Sequence, residues 1–543
     1  MNNKEHTTVA DSALGDCDLA FTPVESIGGI VDELRASFGS GTLRSLSSRK
    51  QQLRALLKGM QSEEKRIVDS VYCDLHRSAE DTGLCEIQTV IYEIGLFLEN
   101  LDKWARPEDK HASARQPAFM MSQSQVRREP LGTVLIMGAW NYPFRLTLLP
   151  VIGAIAAGNT VVLKPSEVAA HSALTLEHIV AEYMDPQVIR IVQGGVDEST
   201  ELLKQRFDHF FYTGNGTVGK IVARAAAEQL AGVTLELGGK SPAIVHADVA
   251  DLAAAAFRIV WGKMTNAGQT CVGVDYLLVH RSVKDRLVPL LVEAVRGMYG
   301  DSPQKSADFG RIINRRHWAR LMGMLDATEG TPVAVADDEA DEADCYIPPT
   351  IVDGVLGDDS LMRGELFGPI LPIVTYDTLE EAIAFVNARD QPLTLFAFAS
   401  KDSAEHVVTH TRSGSVCVND SMFFMASHES PFGGVGPSGV GSYTGRASFE
   451  TFSHCRHVMK RPLWFPTAGL DSMRAPPFAG KQNAWKSKLV LALTYPTARP
   501  LRKTWLGKLV TFIPFWRLLS SLPQFLWALI IAKPTIRRHA GSK

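Results

Sequence analysis

The chain has 543 residues, 45% of them hydrophobic and 21% charged, with a formal net charge of −3. That length exceeds one ordinary core, so two or more folded domains are expected, and the near-neutral charge argues against a nucleic-acid partner. Seven cysteines without pairing rhythm read as reduced thiols of a cytosol-facing protein, and Met1 to Ala20 is polar, without the apolar core of a secretory signal, which leaves residues 1–23 as a disordered lead-in.

Val24 to Trp104 reads as helices, because apolar residues recur at helical spacing in stretches such as Ser47 to Leu57 and Glu86 to Leu101. His111 to Arg128 is polar and lacks that period. An alternation then begins. Short apolar runs at Thr133–Met137, Thr160–Leu163, Val188–Val192, His209–Tyr212 and Val233–Leu235 are separated by helical stretches such as His171 to Met184 and Val218 to Ala231. Apolar strands spaced by helices predict βαβ units and a parallel sheet, hence an α/β fold with chemistry at the carboxyl ends of strands. A second block has strand candidates at Leu277–Val279, Ile370–Val374, Leu395–Phe398 and Val416–Val418. The acidic run Asp337 to Asp344 reads as a solvated loop.

Four motifs fall in the turns of this pattern. Gly214-Asn215-Gly216-Thr217-Val218-Gly219 follows a strand and opens a helix, the arrangement in which backbone approaches a pyrophosphate at a helix N-terminus. Glu236 ends a strand before Gly238-Gly239-Lys240. Cys271 closes Asn266-Ala267-Gly268-Gln269-Thr270-Cys271. A thiolate can attack a carbonyl carbon and a carboxylate can later activate water, the chemistry of a thioester route. Asn141 lies in Gly138-Ala139-Trp140-Asn141-Tyr142-Pro143, just after a strand. His406 and His410 have i, i+4 spacing but lack the glutamate of a zinc helix, and no metal is needed.

Together these segments resemble the aldehyde dehydrogenase superfamily from about Val24 to Pro462. Pro431 to Gly436 and Ser438 to Tyr443 resemble its class 3 branch. The resemblance implies a Rossmann-like cofactor domain (24–110 and 129–235) and an α/β catalytic domain (236–445). It also implies a β-hairpin oligomerisation arm (111–128 with 446–462) and a homodimer. Cys271 would be the nucleophile, Glu236 the water-activating base, and the Asn141 amide an oxyanion donor beside the Cys271 N–H. Tyr142 and Lys240 would orient Glu236 and the pocket, and His428 is a pocket candidate or a structural histidine. Lys164 and Glu167, in Lys164-Pro165-Ser166-Glu167, would flank the adenosine ribose, with Gly214 and Gly219 at the pyrophosphate. In Glu365-Leu366-Phe367-Gly368-Pro369, Glu365 would bond the nicotinamide ribose and Phe367 would pack near the nicotinamide. A carboxylate at Glu167 favours NAD, with NADP possible.

Beyond Pro462 the chain continues as residues 463–543. From Ser472 onward it carries 13 Lys and Arg and no acid, while the remainder holds 43 basic and 59 acidic residues, a balance of −16. Trp505 to Ala532 is almost wholly apolar, but its uninterrupted part, Leu518 to Ala532, is short of the ~20 residues of a spanning helix. A short tail anchor and an in-plane interfacial segment both fit. The layout resembles membrane-bound fatty aldehyde dehydrogenases, and fungal apocarotenal dehydrogenases share it. The expectation is a membrane-associated enzyme with its catalytic body facing the cytosol, oxidising a long apolar aldehyde. A coenzyme-A-acylating enzyme and a catalytically inactive scaffold are the rivals.

Overall fold

A computed structural model describes residues 17–109 and 122–461, with Ala475, Pro476, Asn483 and Lys486. The lead-in before Cys17, most of the 111–128 arm and the apolar tail lie outside the described residues. The described residues fall into two compact units, within 1–105 and 129–454 and within 106–128 and 455–543. Packing begins ahead of the expected boundary at Val24: Cys17 and Leu19 are buried with Ala170 and Ala173 in a small apolar cluster.

The larger unit opens on helices α1 (Val24–Ser40), α2 (Leu46–Ser62), α3 (Glu64–Leu75), α4 (Ala79–Thr82) and α5 (Thr89–Trp104). The first two have local reasons to stop and start. Gly41 adopts a left-handed φ of 86° that ends α1, and the Ser45 hydroxyl accepts the Ser48 N–H to start α2. Between α4 and α5 the chain makes a π-turn, Gly83–Gln88, which turns Glu86 into the interior.

After β1 (Glu108–Asp109) and β2 (Gln123–Pro130) comes the expected alternation. It runs β3 (Thr133–Met137), α6 (Arg145–Ala157), β4 (Thr160–Lys164), α7 (Ala170–Tyr183), β5 (Ile189–Ile191), α8 (Val196–Lys204), β6 (His209–Gly214), α9 (Gly216–Glu228) and β7 (Gly232–Leu237). Every residue of β3, β4 and α6 after Arg145 is buried, as continuous apolar runs require of elements covered on all sides. A second sheet takes β8 (Pro242–Val245), β9 (Tyr276–His280), β10 (Thr331–Val333), β11 (Thr350–Asp353), β12 (Ile370–Tyr376), β13 (Thr394–Phe398) and β14 (Ser415–Val418), with α10 (Leu252–Met264) between β8 and β9.

The seven-stranded order is β10-β11-β12-β9-β8-β13-β14, parallel except for β10. In the six-stranded sheet, β15 (Gly439–Val440) joins β7 antiparallel, and the order is β15-β7-β6-β3-β4-β5. The chain passes from one sheet to the other through Gly238 to Ser241, directly after Glu236. In the smaller unit, β2 lies between β1 and the last strand, β16 (Ser453–Lys460). Among the described residues no helix is long and apolar enough to cross a membrane.

Candidate active site

Cys271 sits on a loop between α10 and β9 that cannot relax. Asn266, Ala267 and Gly268 all take left-handed φ, of 53°, 50° and 76°. For Asn266 and Ala267 this is a strained conformation, which persists only where surroundings over-determine it. They do so here. The Gln269 amide donates to Asn266 O at 3.1 Å and Arg311 O at 2.8 Å and accepts from Ile313 N–H at 2.9 Å. A Cβ on Gly268 would overlap the Gly368 carbonyl oxygen, so only glycine closes the turn.

Asn141 is tied to the same loop. Its amide nitrogen donates to Gln269 O at 3.0 Å, and the Asn266 amide donates back to Asn141 O at 2.9 Å. Tyr142, next in the chain, shares a 2.9 Å hydrogen bond with the hydroxyl of Thr270, the residue before Cys271. The thiol itself is half-buried and held protonated, its pKa pushed up to about 12. Burial is the larger cause; the Glu365 and Glu236 carboxylates add to it, and the Arg145 guanidinium opposes them.

Glu236 is buried near the end of β7, and neither of its carboxylate oxygens has a hydrogen-bond partner. Burial raises its pKa well above the carboxylate range. Neither Lys240 nor Tyr142 hydrogen-bonds to it. The Lys240 ammonium donates instead to Asp275 at 2.6 Å and to the Gly364 carbonyl at 3.1 Å. Asp275 also accepts the Leu366 N–H at 3.0 Å and lies 3.9 Å from the buried Lys263 ammonium. This cluster holds the Glu365 segment in place. Burial, with the Asp275 charge, lifts the Glu365 carboxyl to about 8. A Cβ on Gly238 would overlap that carboxylate.

The glycine motif stands where β6 feeds α9. Asn215 caps the helix, its side chain accepting the Val218 N–H at 3.0 Å. Gly219 packs so closely that an added Cβ would lie 2.7 Å from the Leu237 side chain. A cavity of about 370 Å³ opens beside this helix N-terminus, lined by Asn215, Gly216, Gly238, Gly239, Lys240 and Glu365 among others. At Gly216 a Cβ would meet nothing, so the backbone there faces open space. Lys164, at the end of β4, donates to Glu167 at 2.8 Å, so each charge is half satisfied by the other. Phe367 has φ 57° and sets its ring edge-to-face on Trp140 at 5.3 Å.

Residues 22–458 match the aldehyde dehydrogenase family. The chain belongs to that family. It is therefore an oxidoreductase acting on the aldehyde group. A relative from Canis lupus familiaris, named aldehyde dehydrogenase, dimeric NADP-preferring, is 44% identical over 81% of this chain and 96% of its own length. Another, the 4,4'-diaponeurosporen-aldehyde dehydrogenase of Staphylococcus aureus, is 40% identical over 82% of this chain and 95% of its own. A solved structure of Staphylococcus aureus AldH in a substrate-bound state superposes with a TM-score of 0.81 at 38% identity, covering 86% of this chain and all of that one.

Within this aldehyde dehydrogenase His428 is tied to a buried carboxylate. Its Nδ1 is 2.7 Å from the Glu93 carboxylate, whose other oxygen accepts the Gly445 N–H at 2.7 Å, and all of this is buried. Several residues that shape the site were given no role from the sequence: Asn266, Gln269, Asp275, Lys263 and Arg145. Gln269 and Asn266 stand in the quoted run around Cys271, and two amides in one tight glycine turn were the available signal. Asp275 and Lys263 offered none, because their partners are distant in sequence.

Proposed function

We propose that this aldehyde dehydrogenase oxidises long, apolar aldehydes to carboxylic acids with NAD(P), through a thioester on Cys271. One observation carries the hydrolytic part: Glu236 is a buried carboxylate with both oxygens free of protein partners. A base so placed is kept for a water molecule, and that favours release as the acid over transfer to coenzyme A. The Cys271 sulfur, as thiolate after its proton is lost to solvent, adds to the aldehyde carbon, and departure of hydride from that carbon leaves the thioester. The charge arriving on oxygen is met by the Asn141 amide, which must turn from Gln269 O, and by the Cys271 N–H. Glu236 then takes a proton from water as that water attacks the thioester.

The cleft beside α9 is the place we assign to the dinucleotide. Asn215 and Gly216 line the cavity at the N-terminus of α9, Gly214 and Gly219 would stand at the pyrophosphate, Lys164 and Glu167 would flank the adenosine ribose, and Glu365 would bond the second ribose. When bound, the oxidised nicotinamide supplies the hydride acceptor. The Glu167 charge leans the choice toward NAD, while its salt bridge to Lys164 and the NADP-preferring name of the dog relative lean the other way. NADP use therefore stays within this reading.

Apolar substrates are supported by the tail composition and by the staphylococcal relative, named for 4,4'-diaponeurosporen-aldehyde. That name keeps apocarotenal-type aldehydes as the second reading. We also assign a homodimer, in keeping with the dog relative's name and the exposed Phe257 and Phe423, and a cytosol-facing body held on a membrane by residues 463–543. The test is reduced-cofactor formation with a sixteen-carbon aldehyde, with and without coenzyme A. Acid as the sole product is expected; acyl-CoA would replace the hydrolytic reading, and no turnover would leave the scaffold.

A further inference from the structure

The molecule holds a buried ion cluster that the reaction above does not use. Arg77 has one of the largest fully buried side chains, between α3 and α4. Its Nε donates to Asp81 at 2.7 Å and one Nη to Glu86 at 2.8 Å. The other Nη is buried without a hydrogen-bond partner, and the guanidinium carbon stands 4.6 Å from the centroid of the Tyr142 ring. A cation over a buried ring is attracted to its face. Glu86 is wholly buried, and its second oxygen accepts the Arg145 N–H at 2.8 Å.

Both arms of this cluster end on segments next to the nucleophile loop or its Asn141 partner. By one, Arg77 presses the Tyr142 ring whose hydroxyl meets Thr270 at 2.9 Å, one residue from Cys271. By the other, Glu86 takes an N–H in the first turn of α6, directly after the Asn141 turn. The π-turn at Gly83–Gln88 makes this possible. It inserts one residue, and without it Glu86 would be turned by about 100°. An apolar set of the same volume is often as stable as a buried ion cluster, so stability gives little reason for these charges.

We propose that Arg77 and Glu86 are positioning residues that set the Tyr142 ring and the Asn141 turn against the Cys271 loop for acylation. The inference rests on Cys271 being the nucleophile. It predicts that Arg77→Met, in the full chain, slows acylation of Cys271 in a single turnover. The loss should be on the order of 10- to 100-fold, the scale of a small misplacement of reacting groups. Cofactor affinity should stay within about twofold, and Arg77→Lys should recover part of the rate. Because the effect travels through Tyr142, Arg77→Met should cost much less in a Tyr142→Leu background.

An Arg77→Met rate within about threefold of wild type would overturn the proposal, as would full additivity with Tyr142→Leu. If Arg77→Met does not fold, Glu86→Gln keeps the shape and takes the same measurement: a slowed acylation supports the brace, and a wild-type rate sinks it. Wild-type protein that forms no adduct on Cys271 would instead fail the underlying reading, so the two failures are distinct.

Discussion

Cys271 and Glu236 are both displaced from their ordinary proton affinities in the same direction, and each displacement makes a measurable demand. The free thiol is held up to about 12, so in the cofactor-free protein only a small thiolate fraction exists near neutrality. Alkylation of Cys271 by iodoacetamide should therefore still be climbing at about pH 10.5, roughly two units beyond where a free cysteine half-titrates. A plateau below that pH would remove the account, and the absence of an aldehyde adduct on Cys271 by mass spectrometry would remove the nucleophile. For Glu236 the sign is as follows. A base must be deprotonated, and burial raises its pKa, so thioester hydrolysis should rise with pH through a limb above the ordinary carboxylate value of ~4.3. Glu236→Gln should erase that limb and, where deacylation limits turnover, produce a burst. An unchanged limb would mean another group is the base. Both candidates stood out in the sequence because each is a residue type with a chemical task inside a short run. Their partners did not. Lys240 is bonded to Asp275, 35 positions along, and no local pattern announces which of two carboxylates an ammonium meets.

At the scale of elements, the strands read most clearly were those buried on both faces, since a run such as Thr133–Met137 has no exposed side to break its apolar character. Short strands fared worse. β8 is four residues beginning with Pro242, and β11 is four residues ending in Asp353, too brief to show a period. The π-turn at Gly83 left no trace, because an extra residue in a helix changes which side chains face inward without changing composition. Under the proposed reading the β4 end and the turn after it bear on cofactor choice. Lys164 and Glu167 neutralise one another at 2.8 Å. Replacing Glu167 by Gln removes the charge that opposes a 2′-phosphate and frees the ammonium to meet one. The NADP/NAD ratio of kcat/KM should then rise on the order of tenfold. A ratio that does not move would place this pair away from the adenosine ribose.

For the whole molecule the decisive question is what residues 463–543 do, and here the argument rests on composition. A body of balance −16 is joined to a stretch with 13 cations and no acids, carrying the apolar run Trp505 to Ala532. Repulsion from anionic lipid would discourage the body alone, so the tail must supply both terms of any membrane affinity: apolar burial and attraction of its cations to lipid headgroups. Every residue assigned to chemistry lies upstream of Pro462. Truncation there should leave turnover of a short, water-soluble aldehyde largely intact. Turnover of a long-chain aldehyde presented in vesicles should fall further, because the substrate enters the bilayer and the enzyme no longer follows. Salt separates the two terms. Screening shortens the reach of the cations to about 3 Å at 1 M, while apolar burial is not weakened by it. Full-length protein should therefore float with anionic liposomes at low salt and float less, but still float, at high salt; the truncated protein should stay at the bottom in both. Complete release by salt would make the tail a purely electrostatic contact. A full-length protein that never floats and needs no detergent would remove the membrane from this reading, and with it the main physical reason to expect long apolar substrates.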